Sequence, residues 1–299
     1  MNTSFRNESW QDRTFTIVNY VLVTLLFLSV LYPLLYVVSA SFSDSSAVIS
    51  GEVWLWPVRP TLEGYIAVFQ YSQVWTGIKN SFIYTVLGTL VNIVLTIAAA
   101  YPLSRKDFFG RNLFMVLFIF TTMFTGGLIP TYLVVKDLGM LNTVWSMIIP
   151  SAITVWNVII ARTYFQMTIP DEMLEAAQID GCSDFKFVWQ IVIRLSGPII
   201  AVITLYYAAA NWNQYFNAMI YLKDQSLYPL QLVLKDILIS NDMDNTMFGG
   251  DPQDAARREA MRVLLKYSLI VVASVPLLIL YPFVQKYFVK GVMIGSLKG

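Results

Sequence analysis

Six stretches of this chain run for 19 residues or more without an Asp, Glu, Lys or Arg: 14–43, 80–104, 112–135, 138–161, 195–222 and 267–285. A helix needs about 20 mostly apolar residues to cross a hydrocarbon core of about 30 Å. Each stretch is therefore long enough to span a bilayer. The next longest, 64–78, is shorter and carries Gln70, Ser72, Gln73 and Gly77, so it reads as a surface segment. Backbone polar groups in lipid have to bond within their own segment, which selects helices over open strands. The chain is expected to be an all-α integral membrane protein of six transmembrane helices. Composition agrees: 57% of the residues are hydrophobic and 13% charged, against about 25% charged in a soluble domain.

An even number of spans places both termini on one side, and basic residues choose the side. With both ends inside, the inner segments hold eleven Lys or Arg and the outer ones nine, and the Arg105–Arg111 loop alone holds Arg105, Lys106 and Arg111. The reading is N-in and C-in: a cytoplasmic segment 1–13, a membrane domain 14–289 and a cytoplasmic tail 290–299. The first apolar stretch is about twice the length of a signal-peptide core, so it is expected to remain as an anchor.

The chemistry that is missing narrows function. The chain has no histidine and one cysteine, Cys182, which removes the common zinc, haem and Ser–His or Cys–His sites. A net charge of +1 gives no case for a nucleic-acid partner. No G-x-x-x-x-G-K-[ST] loop is present to cradle phosphates. The chain is expected to be no enzyme and to bind no cofactor of its own.

The most informative polar segment is 168–198. Thr168 is a candidate helix cap, Pro170 suits a first turn, and Asp171 and Glu172 suit the positive end of a helix. Gly181 is expected to end that helix in a left-handed conformation. Ser183 then caps a second helix leading through Phe185, Val188 and Trp189 to the fifth span. By local physics alone the segment is either an interfacial amphipathic loop or a docking helix.

Glu175-Ala176-Ala177, followed by Asp180-Gly181 and then Ile191-Val192-Ile193 and Pro198, resembles the EAA motif of ABC importer permeases. One departure is Arg194, which stands where that motif has a proline. Asn80-Ser81, the run Ala98 to Arg105, Phe109-Gly110-Arg111, Phe124 to Tyr132 and Trp212 to Tyr215 are similar to sugar-type members, in particular to the maltose-type inner permease. The resemblance implies a type I importer permease in the cell membrane, paired with a second homologous permease. It implies a separate ATPase dimer carrying ATP and Mg, and an extracellular solute-binding protein that delivers a sugar or oligosaccharide. Asp171, Glu172, Glu175, Ala176, Ala177, Asp180 and Gly181 would then couple to the ATPase. The tail residues Gly291, Gly295, Lys298 and Gly299 would reach into it.

Asn211, Asn213, Gln214 and Asn217 form the only dense polar cluster at membrane depth, with Trp212 and Tyr215 beside them. On one continuous helix the amides fill an arc of about 160°. Two readings stand: a sugar-binding path, or hydrogen-bonded glue between helices. The polar outer loop 223–262, with a short amphipathic surface helix at Leu230 to Leu238, reads either as a docking surface for the binding protein, together with 43–78, or as a solvated cap, and docking is favoured. An amino-acid or peptide permease is the alternative within the class. Ion-coupled transport is disfavoured because the span interiors carry no charge to couple an ion.

Overall fold

The computed structural model describes the backbone over 9–239 and 255–296, and the side chains over 9–237 and 260–282. Among these residues every regular element is helical. The chain divides into two compact units, Met1–Gln70 with Ile237–Val272, and Tyr71–Asp236 with Ala273–Gly299.

In the first unit, helix α1 (Trp10–Ser41) starts at Ser9, whose Oγ accepts from the Asp12 N–H at 3.2 Å. Beyond a polar first turn (Gln11, Asp12, Arg13) its side chains are mostly apolar on every side, and only its last three residues, Ser39, Ala40 and Ser41, are buried. A helix with no polar face is built for lipid rather than for water. Short helices α2 (Ser45–Ile49) and α3 (Glu63–Gln70) follow. Ala40, Ala47, Val48 and Val53 form a small core with Tyr36, Val263 and Tyr267 around it.

The second unit is organised on α4 (Ser72–Ser104), which begins eight residues before the second charge-free stretch. Gly77, Ser81, Thr85, Gly88, Asn92, Thr96 and Ala100 are all buried along it. Their spacing of three or four residues makes one stripe of small and polar side chains, the kind that lets membrane helices approach closely. Against it lie α8 (Val155–Thr168) and α11 (Gly197–Trp212).

The third and fifth expected spans are not single rods. The third is α5 (Arg111–Met123) and α6 (Leu128–Asp137), bent by 114°; the fifth is α11 followed by a short helix at Phe216–Tyr221, interrupted at 213–215, and it is entered through an 83° bend from α10 (Asp184–Leu195), which contains a π-helical turn. Gly127 explains the first bend. Its φ of +83° with ψ of 175° is a region open essentially to glycine alone. The fourth stretch is the short α7 (Trp145–Ile148) and then α8, separated around Pro150. Among the described residues three helices are long and apolar enough to cross a membrane, or up to five spans if each bent pair counts once, where the sequence reading had six. Apolar runs record hydrophobicity, and a glycine or proline break leaves that record intact.

The remaining elements are α12 (Phe216–Tyr221), α13 (Leu230–Ile239) and α14 (Ala255–Ser296). The expected amphipathic helix at 230–238 buries Leu230, Leu232 and Val233, with Leu230 backbone against Gly77, and leaves Gln231, Lys235 and Asp236 half-exposed on its other side. Gly291 and Gly295 fall within α14, while Lys298 and Gly299 lie outside the described residues, as does 240–254 of the expected outer loop.

Candidate functional site

Helix α9 (Asp171–Ile179) and α10 form a helical hairpin across an elbow at Gly181. Gly181 has φ +75°. Its N–H donates to the Gln178 carbonyl at 3.0 Å, and the Cys182 N–H donates to the Ala177 carbonyl at 2.9 Å. That paired pattern is the Schellman ending, which calls for a residue free of the Cβ penalty. Ser183 caps α10, its Oγ accepting from the Lys186 N–H at 3.4 Å.

The expected cap at Thr168 is not formed. Thr168 ends α8, the residue before α9 is Pro170, and no side chain caps the first turn of α9. Proline supplies no side-chain acceptor, so Asp171 and Glu172 at the positive helix end carry that role electrostatically.

One face of α9 is inward. Leu174 and Ala177 join a core with Tyr101, Phe165, Ile169 and Phe187. The opposite face presents Glu172, Glu175, Ala176 and Ile179, and Ile179 is 86% exposed. Asp180 and Gly181 are exposed at the tip. The two helices therefore offer carboxylates together with the exposed apolar side chains of Ile179, Phe185 and Trp189.

Arg105, at the end of α4, is the residue that sequence reasoning passed over except as a topology signal. It is 4% exposed. Its Nη2 donates to the Ile169 carbonyl at 2.8 Å, its Nη1 lies 3.3 Å from Asp171 Oδ1, and its guanidinium sits 5.3 Å from the Tyr101 ring centre. Lys106 Nζ reaches Asp171 Oδ2 at 2.9 Å. The Lys106 hydrogen bond, with Lys106 and Arg105 charges behind it, holds the Asp171 carboxyl below its ordinary value; Asp171 in turn raises the Lys106 ammonium. Nearby, Arg162 Nε donates to the Leu103 carbonyl at 2.8 Å. The signal in the sequence was a basic pair 66 residues from an acid, and no spacing rule joins those.

The polar cluster divides in two. Asn211 is 5% exposed: its Nδ2 donates to Asn92 Oδ1 at 2.9 Å and to Thr89 Oγ1 at 3.3 Å, and its Oδ1 accepts from Gln214 Nε2 at 2.7 Å. Trp212 is buried and donates from Nε1 to the Ala273 carbonyl at 2.8 Å. Both are committed to packing. The arc on one continuous helix does not hold, because the chain leaves helical geometry between Trp212 and Phe216. Asn213 and Tyr215 are exposed at that break, with Gln214 and Asn217 half-buried beside them. Asn213 Oδ1 accepts from Gln231 Nε2 at 3.4 Å. Interrupted backbone at membrane depth is tolerated where it is covered by protein or lines a watery cavity, and such breaks in transporters lie at substrate sites.

Apolar helices long enough to cross a membrane, with a charged elbow held from the end of α4 and a helix break after Trp212, fit a multi-pass membrane protein. Residues 74–294 match the family described as binding-protein-dependent transport system inner membrane component, and the chain belongs to that family. It is a protein of the cell membrane and a permease component rather than an enzyme. It is 41% identical over 267 residues to the protein LplC of Bacillus subtilis (89% of each chain), and 38% identical over 294 residues to the polygalacturonan/rhamnogalacturonan transport system permease protein YtcP of the same organism (97% of this chain and 100% of that one). A chain in the crystal structure of a bacterial ABC transporter involved in the import of the acidic polysaccharide alginate superposes with a TM-score of 0.84 at 35% identity, covering 96% of this chain and 100% of that chain.

Proposed function

We propose that this chain is one permease subunit of an ATP-driven importer, admitting an oligosaccharide released by an extracellular binding protein. A second homologous permease completes the path. A separate ATPase dimer, holding ATP and Mg, drives alternating access by moving the α9–α10 hairpin from the cytoplasmic side. The basic residues near the span ends, which favour an N-in and C-in orientation, support that side for the hairpin.

One observation carries the reading: α9 is rigidly backed by the core under Leu174 and Ala177 while its outer face offers Glu172, Glu175, Ala176 and Ile179. A short hydrogen-bonded helix is a stiff lever, and rigid-body movement of such elements is a common transport device. The likeness to permeases with polysaccharide and oligosaccharide names supports a sugar over an amino acid. The exposed amides and tyrosine at 213–217 suit sugar hydroxyls and ring faces.

Replacing Gly181 with valine tests the lever. A non-glycine residue at φ +75° costs about 1–2 kcal/mol, more when β-branched. In proteoliposomes holding the complete complex, the Gly181→Val variant should insert normally but lose ATP-driven oligosaccharide uptake and substrate-stimulated ATP hydrolysis. Wild-type uptake and stimulation in that variant would sink the proposal.

A further inference from the structure

A buried arginine at the end of a membrane helix needs a reason, because its charge has to be fully compensated once removed from water. Arg105 meets that requirement with two groups that flank a single residue. The Ile169 carbonyl, at 2.8 Å, precedes Pro170; the Asp171 carboxylate, at 3.3 Å, follows it. Pro170 (φ −67°, ψ 153°) is the only residue between the end region of α8 and the start of α9 that lies in neither grip.

We infer that Arg105 is the positioning residue that turns the Pro170 joint into a rigid one, so that force applied to α9 passes into α4. A fork with donors in fixed directions suits this task, since it can hold a carbonyl and a carboxylate at once. Swinging α9 about Pro170 while α4 stayed still would break one of the two contacts and leave a buried charge short of a partner. Movement of α9 therefore carries α4 with it. From α4 two further contacts continue inward: Thr96 Oγ1 with Tyr207 Oη at 2.6 Å, and Asn92 with Asn211 at 2.9 Å. Both lead to α11, whose end at Trp212 opens the break at Asn213 to Tyr215. The route from the water-facing hairpin to the candidate sugar path thus runs through α4, with Arg105 as its first joint. Lys106 also holds Asp171, but it is exposed, whereas the buried Arg105 holds both the Ile169 carbonyl and the carboxylate.

This inference rests on the coupling function proposed for α9, and the experiment separates the two. The complete complex is reconstituted with wild-type, Arg105→Met, Arg105→Lys or Asp171→Ala permease, and the ratio of substrate-stimulated to basal ATP hydrolysis is measured with uptake per ATP. Loss of a coupling joint is expected to lower that ratio about tenfold, within the 5- to 150-fold range of allosteric couplings. Arg105→Met and Asp171→Ala should be strongly non-additive. Arg105→Lys, which has a single cationic centre instead of a fork, should assemble like wild type and recover only part of the ratio. If Arg105→Met fails to assemble, Arg105→Lys decides: assembly with wild-type coupling overturns the assignment, and assembly with reduced coupling supports it. A cysteine at Glu175, in a chain with Cys182 replaced by serine, is cross-linked to the ATPase in parallel. Cross-links with unaltered coupling in the arginine variants refute the role of Arg105 alone. Absence of cross-links refutes the docking of α9 itself.

Discussion

Gly88 and Asn211 share one small space, and the structure states what happens when that space is filled. A Cβ added at Gly88 would lie 2.8 Å from Asn211 Nδ2 and 3.0 Å from its Cγ. The backbone of α4 is not the obstacle; the obstacle is a side chain that can swing away. Swinging costs Asn211 its bonds to Asn92, Thr89 and Gln214, at 2.9, 3.3 and 2.7 Å. Taking the membrane interhelical average of about 0.6 kcal/mol for each of the two bonds to α4 and a similar amount for the local bond to Gln214, Gly88→Ala should cost about 2 kcal/mol. Asn211→Ala forfeits the same three bonds and should cost a similar amount. In the double variant nothing remains to be displaced, so its stability should match that of Asn211→Ala alone, giving a coupling energy of about 2 kcal/mol. Reversible unfolding of the purified protein in mixed micelles measures all three variants. Simple additivity would refute the reasoning, because it would mean that the two residues do not compete for one site.

Two further outcomes are expected. At Gly77 an added Cβ would stand 3.0 Å from Leu230 Cα and 3.2 Å from Leu230 N; backbone cannot swing aside, so Gly77→Leu should destabilise by more than the 1–3 kcal/mol of ordinary overpacking, seen as loss of folded protein on gel filtration, and Leu230→Ala should not rescue it. The hold on Asp171 should be flat across neutral pH. Its lowered carboxyl contributes fully above the ordinary 3.8 and is lost only as pH falls through the depressed value, while the raised Lys106 contributes fully below the ordinary 10.5 and is lost as pH rises above it. Coupling measured between pH 6 and pH 8, a window chosen as roughly two units clear of both limits, should not change through this pair; a step there that disappears in Lys106→Met would contradict the assignment.

The sequence carried the helical class, the membrane setting and the hairpin, because each is a local signal. Absence of charge over about 20 residues has one structural solution, and Gly181 sits where a helix end requires it. Ser183 capped α10 as its residue type implies. What remained hidden is tertiary. The bend at Gly127 and the interruption at Pro150 leave hydropathy untouched, so both expected spans looked whole. Asn211 was grouped with Asn213 and Asn217 as neighbours on one helix, but the break after Trp212 sends them to different surroundings. Arg105 counted only as a positive charge near a span end, since its partners at 169 and 171 come from another part of the chain.

Asn92 illustrates how such distant pairs constrain one another. Its Nδ2 donates to the carbonyls of Ser151 and Ala152 at 3.0 and 2.8 Å, oxygens left without helical partners by the interruption at Pro150. Tyr207 serves the other edge of the same gap, its Oη accepting from the Thr154 N–H at 3.1 Å. The amide therefore satisfies backbone oxygens that the interruption around Pro150 leaves outside the helix. A relative that straightens this region should be free to lose the amide, and one that keeps the proline should keep it, so substitutions at 92 and 150 should travel together through the family's history.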